Sequence, residues 1–158
     1  MPAQKPAESK QDYATPRPFI AACEQRFGVI EFDLAADESN TVVPGAYFDQ
    51  RRDSLVQDWA ALGAGLLWLN PPFGDIASFA KKCAEESQRG AHILFLTPAS
   101  VGSDWFQQYV VPHAHVLELS PRISFDGKAP FPKDLILSVY MAGLTGRSFW
   151  RWKKVRQR

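Results

Sequence analysis

Three observations predict an α/β protein of one domain, built on a mostly parallel sheet. Leu66-Leu67-Trp68-Leu69 sets four large apolar residues in succession without alternation, then breaks into Asn70-Pro71-Pro72-Phe73. Such a run fits a strand buried on both faces, and proline ends its ladder while pushing Asn70 towards extended geometry. Ala91 to Leu96, followed by Thr97-Pro98, repeats the pattern. Between the two, Ile76 to Arg89 reads as a helix. Ile76, Phe79, Ala80 and Cys83 form its inner stripe, Lys81, Lys82, Glu85 and Glu86 face water, and Gly90 closes it. Strand, helix, strand at this spacing is a βαβ unit with a parallel, right-handed crossover. Asn70 and Thr97 then share one sheet edge, beyond the strand carboxyl ends, where open α/β sheets bind ligands.

The other elements follow in chain order. Thr15 is placed as an N-cap with Pro16 at the first helical position. Phe19, Cys23 and Phe27 give one apolar stripe, and Gly28 stops the helix. Val29 to Leu34 reads as a short strand ending in acid, followed by the small, acidic loop Ala35 to Asn40. Val42 to Tyr47 is irregular, Tyr47-Phe48-Asp49 is a candidate short strand, and Asp53 to Trp59 is a turn or short helical piece. Beyond Pro98, Ser103 to Val111 is a short helix ended by Pro112. His115 to Leu119 and Arg122 to Phe125 are strands, the second leading into the turn Asp126-Gly127-Lys128, and Leu135 to Met141 closes the sheet.

The 158-residue chain is long enough for a real core, and no run approaches the ~18 apolar residues of a membrane span. Met1 to Gln11 is polar and lacks an apolar h-region, which reads as a disordered lead-in rather than a signal peptide, with a cytoplasmic location expected. Residues 12–146 then form the domain. Cys23 and Cys83 sit among apolar neighbours as expected free thiols, and with His92, His113 and His115 they show no zinc-ligand spacing, so no metal is expected. A formal net charge of +1 hides an asymmetry: Arg147, Arg151, Lys153, Lys154, Arg156 and Arg158 are interleaved with Phe149, Trp150 and Trp152. Residues 147–158 read as a basic aromatic tail. Such a tail suits a nucleic-acid backbone with stacking on bases, or else packs its rings back on the domain.

The chain lacks a GxxxxGK[ST] phosphate loop, a GxGxxG turn and a GxSxG elbow. Asn70-Pro71-Pro72-Phe73 resembles the (D/N/S)PP(Y/F) motif of amino methyltransferases that use S-adenosylmethionine. Six segments in order resemble the phage-type, Dam-like DNA N6-adenine methyltransferases. They are Thr15-Pro16; Phe32 to Ala36 with Asn40; Asp53-Ser54-Leu55 with Trp59; Asn70 to Phe73; Leu96 to Ala99 with Trp105-Phe106; and Arg122-Ile123-Ser124-Phe125. The resemblance runs from about Tyr13 to Met141.

The resemblance implies a single-domain, Rossmann-like class I methyltransferase fold with an antiparallel strand near the C-terminus. It implies S-adenosylmethionine as cofactor, DNA as partner, and Asn70, Pro71, Pro72 and Phe73 as catalytic residues. The adenine 6-amino lone pair is delocalised, so acceptors at the Asn70 oxygen and the Pro71 carbonyl would reshape the amine without a strong base. Phe73 would stack on the flipped base. Tyr13, Thr15, Pro16, Asp33, Ala35 and Asp53 are the implied cofactor residues, with Asp37, Asp49 and Asp58 as further carboxylate candidates. Arg122, Lys128, Arg147, Arg151, Lys153 and Lys154 are the expected DNA contacts. The segment Asp33 to Asp37 departs from the Gly-rich FxGxG loop of many methyltransferases, as it does in the Dam-like relatives. Methyl transfer to RNA adenine or a protein amide, and a non-catalytic DNA-binding module, are the alternatives.

Overall fold

The computed structural model describes residues 14–63, 65–125 and 130–153. Helix α1 spans Arg17–Phe27, strand β1 Ile30–Asp33, β2 Leu66–Leu69, helix α2 Ile76–Gln88, β3 His92–Pro98, β4 His115–Ser120, β5 Leu135–Tyr140 and β6 Gly146–Arg151. The strands form one sheet in the order β1-β2-β3-β5-β4-β6. Pairs β1/β2, β2/β3 and β4/β6 are parallel, and β5 is antiparallel to both its neighbours, so five strands run one way and β5 against them.

The βαβ unit is the centre of this arrangement. All four residues of β2 are buried. Leu67 and Leu69 join Ile93 and Phe95 on the α2 face, while Leu66 and Trp68 join Leu94 and Leu96 on the α1 face. Period-2 alternation thus feeds two separate cores, and each fully buried Leu or Ile contributes roughly 1.5–3 kcal/mol. Helix α2 buries Ile76, Phe79, Ala80 and Cys83, and Gly90 turns the chain with φ +106°. Helix α1 buries Phe19, Ile20 and Cys23 and stops at Gly28, where φ is +110°.

Several expectations are corrected. Pro16, not Thr15, is the N-cap of α1, and the Pro16 carbonyl accepts from Phe19 and Ile20; Thr15 is released for another use. Tyr47 to Asp49 makes only an isolated bridge, Asp33 to Tyr47. The helix expected after Ser103 is present, but its longer part is π-helical over Phe106–Val110, where the Val111 amide reaches the Phe106 carbonyl. Arg122 to Phe125 is not a strand, because its groups are used elsewhere: Ile123 accepts from the Phe131 amide, and Arg122 donates to Asp134 and the Pro132 carbonyl.

The largest revision concerns the C-terminus. Residues 147–151, read as the start of a tail, are built into the sheet as β6, in register from His115↔Gly146 to Ser120↔Arg151. Trp150 and Trp152 fold back onto Phe19 with ring centroids 6.0 and 5.1 Å away, and Arg26 lies 5.0 Å over Trp150. Phe149 alone of the three rings faces outward, 84% exposed. Aromatic residues next to arginines therefore mark an amphipathic edge strand here. Lys154 and the residues after it, like Tyr13, Lys128 and the lead-in, lie outside the described residues.

Glu86, expected to face water, is buried. Its carboxylate accepts from the Trp59 and Ala60 amides at 3.2 and 3.1 Å and from Lys82 and Arg89 at 3.1 and 2.8 Å. Burial pushes its pKa up, but the bonds from Lys82, Ala60 and Trp59 outweigh this and hold it below the ordinary value. The clamp pins the loop before β2 onto α2, with Trp59 stacked near Phe79. Glu86→Ala strands two inward-facing amides and should lower stability by about 2–3 kcal/mol in urea unfolding. A loss below about 0.5 kcal/mol would show that the loop docks by apolar packing alone.

Candidate active site

The parallel strands β1, β2 and β3 all end at one edge of the sheet, and an open cavity of about 370 Å³ lies there. Its walls come from the end of β1 and the loop beyond it, from residues 48–55, from Asn70 to Phe73 with Asp75 and Phe79, and from Phe125 and Phe131. Sequence segments more than a hundred residues apart thus meet at one site.

Asn70 follows directly on the buried β2, and Pro71 and Pro72 deny the chain any further ladder bonds. The Asn70 Nδ2 donates to Thr15 Oγ1 at 3.3 Å, across 55 residues of chain. With the nitrogen engaged there, Oδ1 is the end of the amide presented to a ligand. This explains why Thr15 does not cap α1: its hydroxyl, in a buried residue, orients the amide. Phe73 begins a short 3₁₀ turn on the same wall, and its ring meets Phe131 edge-to-face.

Asp33 ends β1 and is 2% exposed. One carboxylate oxygen accepts from the Val42 amide at 2.9 Å and the Thr41 hydroxyl at 3.3 Å, and the other from the Ala35 amide at 3.3 Å. Its side chain thus folds the loop forming the cavity floor. Burial raises its pKa to about 7, against the pull of the Val42, Ala35 and Thr41 bonds. Asp37, Asp49 and Asp53 are more exposed than Asp33, each accepting from local amides: Asp37 from Ser39 and Asn40, Asp49 from Arg52, Asp53 from Leu55. Asp53 does so with φ +50°, the one positive φ outside glycine among the described residues.

The structure brings together Thr15, Asp33, Ala35, Asp53 and Asn70 to Phe73, all of which line the cavity. Pro16 is absent from the wall and instead starts α1. Asp58 lies outside the cavity, paired with Arg89 at 2.7 Å, which holds its pKa below the usual carboxylate range. Of the expected DNA contacts, Arg122, Arg147, Arg151 and Lys153 are described and none lines the cavity. Arg122 pairs with Asp134 at 3.0 Å and Arg147 with Glu118 at 2.6 Å. The sequence reading missed Phe79, Phe125 and Phe131 as wall residues; Phe125 stood in a recognised motif, but nothing local told its ring from a core residue.

Among the described residues the lining contains five aspartates, Asp33, Asp37, Asp49, Asp53 and Asp75, and no lysine or arginine. A cavity so lined favours a cationic ligand and repels phosphate. Among the described residues no cluster of His, Cys, Asp and Glu could hold a metal ion, and no helix is long and apolar enough to cross a membrane.

A mixed α/β sheet with this motif at its strand ends now meets the comparison with known proteins. The family model described as DNA N-6-adenine-methyltransferase (Dam) matches residues 3–136, most of the chain, and the protein belongs to that family. A DNA N-6-adenine-methyltransferase of Escherichia phage T1 is 33% identical over 96 residues, a match covering 61% of this chain and 39% of that protein. The matched chain thus spans well under half of the relative's length.

Asp33 carries a prediction about pH. A carboxyl whose pKa rises on folding stabilises the fold fully below its unfolded value, here 3.8, and loses that contribution as pH rises through about 7. Thermal melts should therefore fall between about pH 4 and 7 in the wild type and level off above that, and Asp33→Asn should flatten that fall. Parallel pH profiles would show that Asp33 is not the titrating group.

Proposed function

We propose that the protein transfers a methyl group from S-adenosylmethionine to the N6 amine of adenine in DNA. Asn70, its amide held by Thr15 at the mouth of an acid-lined cavity, is the observation that carries this reading. Family membership and the phage T1 relative support the substrate class. The sheet is read as a reduced Rossmann-like class I methyltransferase fold, with β1, β2 and β3 as its parallel part and β5 as the reversed strand.

The donor set fits the cofactor. S-adenosylmethionine carries a sulfonium and an ammonium, and a cavity with five aspartates and, among the described residues, no basic side chain favours such a charge. Asp37, Asp49 and Asp53 are the carboxylates offered to its hydroxyl and ammonium groups, Ala35 lets it approach the β1 loop closely, and Phe48 and Phe79 supply apolar wall. When bound, it supplies an electrophilic methyl group. Asp33 serves by keeping the loop in shape.

The chain's own chemistry lies at Asn70. Its Oδ1 and the Pro71 carbonyl accept the two hydrogens of the adenine amine, drawing the nitrogen towards tetrahedral geometry and stabilising positive charge as it grows. The amide is neutral, so no carboxylate has to be buried beside the base. Phe73 offers its ring to the flipped adenine, which must leave the duplex to reach the site. The amine proton is lost to solvent after transfer.

DNA lies across the edge where the cavity opens. Arg151 and Lys153 leave β6 at this edge, because β6 runs parallel to β4 and in the same sense as β3. Arg147 starts at the far end and is paired with Glu118, so it is assigned to the sheet. Arg122 is assigned chiefly to holding the segment through Asp134. Lys128 and Lys154 keep their reading as DNA contacts from sequence alone. Arg17 and Arg51 follow cavity residues Thr15 and Gln50 in the chain and have no ion pair among the described residues, which adds two cations near the rim. Acting on DNA implies the cytoplasm of a bacterial or phage-infected cell.

Incubating DNA with labelled cofactor should yield N6-methyladenine; label on another base, or on no base, would overturn the reading. Asn70→Ala should lower turnover by at least about a hundredfold with cofactor affinity nearly unchanged in calorimetry, and Thr15→Val should lose about tenfold in turnover. An equal loss of cofactor binding in Asn70→Ala would make that residue structural. Replacing both Arg151 and Lys153 by Gln should make the log-log salt dependence of DNA binding shallower by about two, while Arg147→Gln leaves it unchanged. An unaltered slope in the double variant would remove β6 from the DNA surface.

A further inference from the structure

We propose that Phe149 is a stacking platform for an unpaired base of a DNA strand crossing β6, outside the cavity. The inference rests on the reading of β6 as part of the DNA surface, and adds to it a ring and a preference for single strands. Of the three rings at the C-terminal end, Trp150 and Trp152 pack on Phe19. Phe149 is 84% exposed, meets no other ring among the described residues and does not line the cavity. The other exposed large apolar side chains among those residues are all Val or Leu, so Phe149 is the one aromatic face left to solvent. Alternation along β6 sets Arg147, Phe149 and Arg151 on one face of the sheet, with Ser148 and Trp150 on the other.

Charge along this strip falls at one end. Arg147 Nε donates to Glu118 at 2.6 Å, so that pair carries no net charge at the start of the strand. Arg151 and Lys153 are exposed and have no carboxylate partner among the described residues. Along a strand, Phe149 and Arg151 stand about 6.6 Å apart, comparable with the reach from a base to a neighbouring phosphate. A chain of nucleotides with phosphates on Arg151 and Lys153 therefore brings a base over the ring. The ring accepts any base by stacking, but only an unstacked base has a free face to offer, which selects single-stranded or opened DNA over closed duplex. A second copy of the protein fits the strip badly. Antiparallel pairing of two β6 edges about Phe149 would set each Arg147 directly opposite an Arg151, and like charges so placed are destabilising. A polyanion meets the same strip with complementary charge.

The test uses the full chain with a fluorescein-labelled single strand of mixed sequence and the blunt duplex of the same length, both read by anisotropy. Base–aromatic stacking affects binding by about five- to a hundredfold per base. Phe149→Leu keeps an apolar residue on the strand but removes the ring. It should weaken single-strand binding by at least about fivefold and duplex binding by less than about twofold. Its log-log salt slope should match the wild type, because a neutral ring displaces no counterions. Phe149→Trp should restore single-strand affinity. Wild-type single-strand affinity in Phe149→Leu would overturn the proposal, as would an equal loss on the duplex. A wild-type dimer in sedimentation that Phe149→Leu dissolves, with oligonucleotide binding unchanged, would assign the ring to self-association instead. A wild type that binds neither oligonucleotide would overturn the DNA reading itself, and this proposal with it.

Discussion

Burial of Leu66 to Leu69 on both sides of the sheet constrains everything else in this molecule. A strand enclosed on both faces cannot slip by one residue without exchanging its contacts with α1 for those with α2, so its register is fixed. Fixing that register fixes Asn70, because the residue leaves the strand into two prolines with little freedom of its own. The parallel neighbours β1 and β3 then end beside it, and their loops must form the cavity walls. The geometry of the cavity edge is in this sense a by-product of core packing.

The walls themselves are held by polar clamps rather than by regular structure. Between β1 and β2 the described chain has only two 3₁₀ turns, yet three side chains bring this long connection to order. Asp33 gathers residues 35–42 beneath the cavity, Glu86 seizes the amides of Trp59 and Ala60, and Trp59 donates its indole N–H to Ser54 at 3.0 Å. The first two clamps join a loop to a regular element and the third ties the connection to itself, so loss of any one loosens a wall without unravelling the sheet.

How much of this was legible in the sequence follows from the range of the forces involved. Apolar periodicity is local, and it gave β2, α2 and β3 with boundaries close to those found. The Asn-Pro-Pro-Phe run and its companions located the cavity, because family motifs record which segments converge even when they do not say how. Long-range side-chain bonds left no local trace. Thr15 looks like a helix cap from its neighbours, and only the approach of Asn70 from 55 residues away gives its hydroxyl a different partner. Glu86 looks like a solvated residue of an amphipathic helix until the Trp59 loop arrives to bury it. The basic C-terminus was harder to read for a related reason: alternation of arginine with aromatic rings suits both a binding tail and an edge strand, and only the pairing with β4 shows that residues 146–151 form a strand.

The five aspartates of the cavity lining bear on how a ligand leaves as well as how it enters. Carboxylates around a small enclosure attract a cation strongly and its neutral counterpart hardly at all, even when the two have nearly the same shape. A ligand that arrives charged and gives up that charge in the reaction is therefore held less tightly afterwards. On the proposed reading, the same aspartates that gather the donor would release more readily what remains of it after transfer.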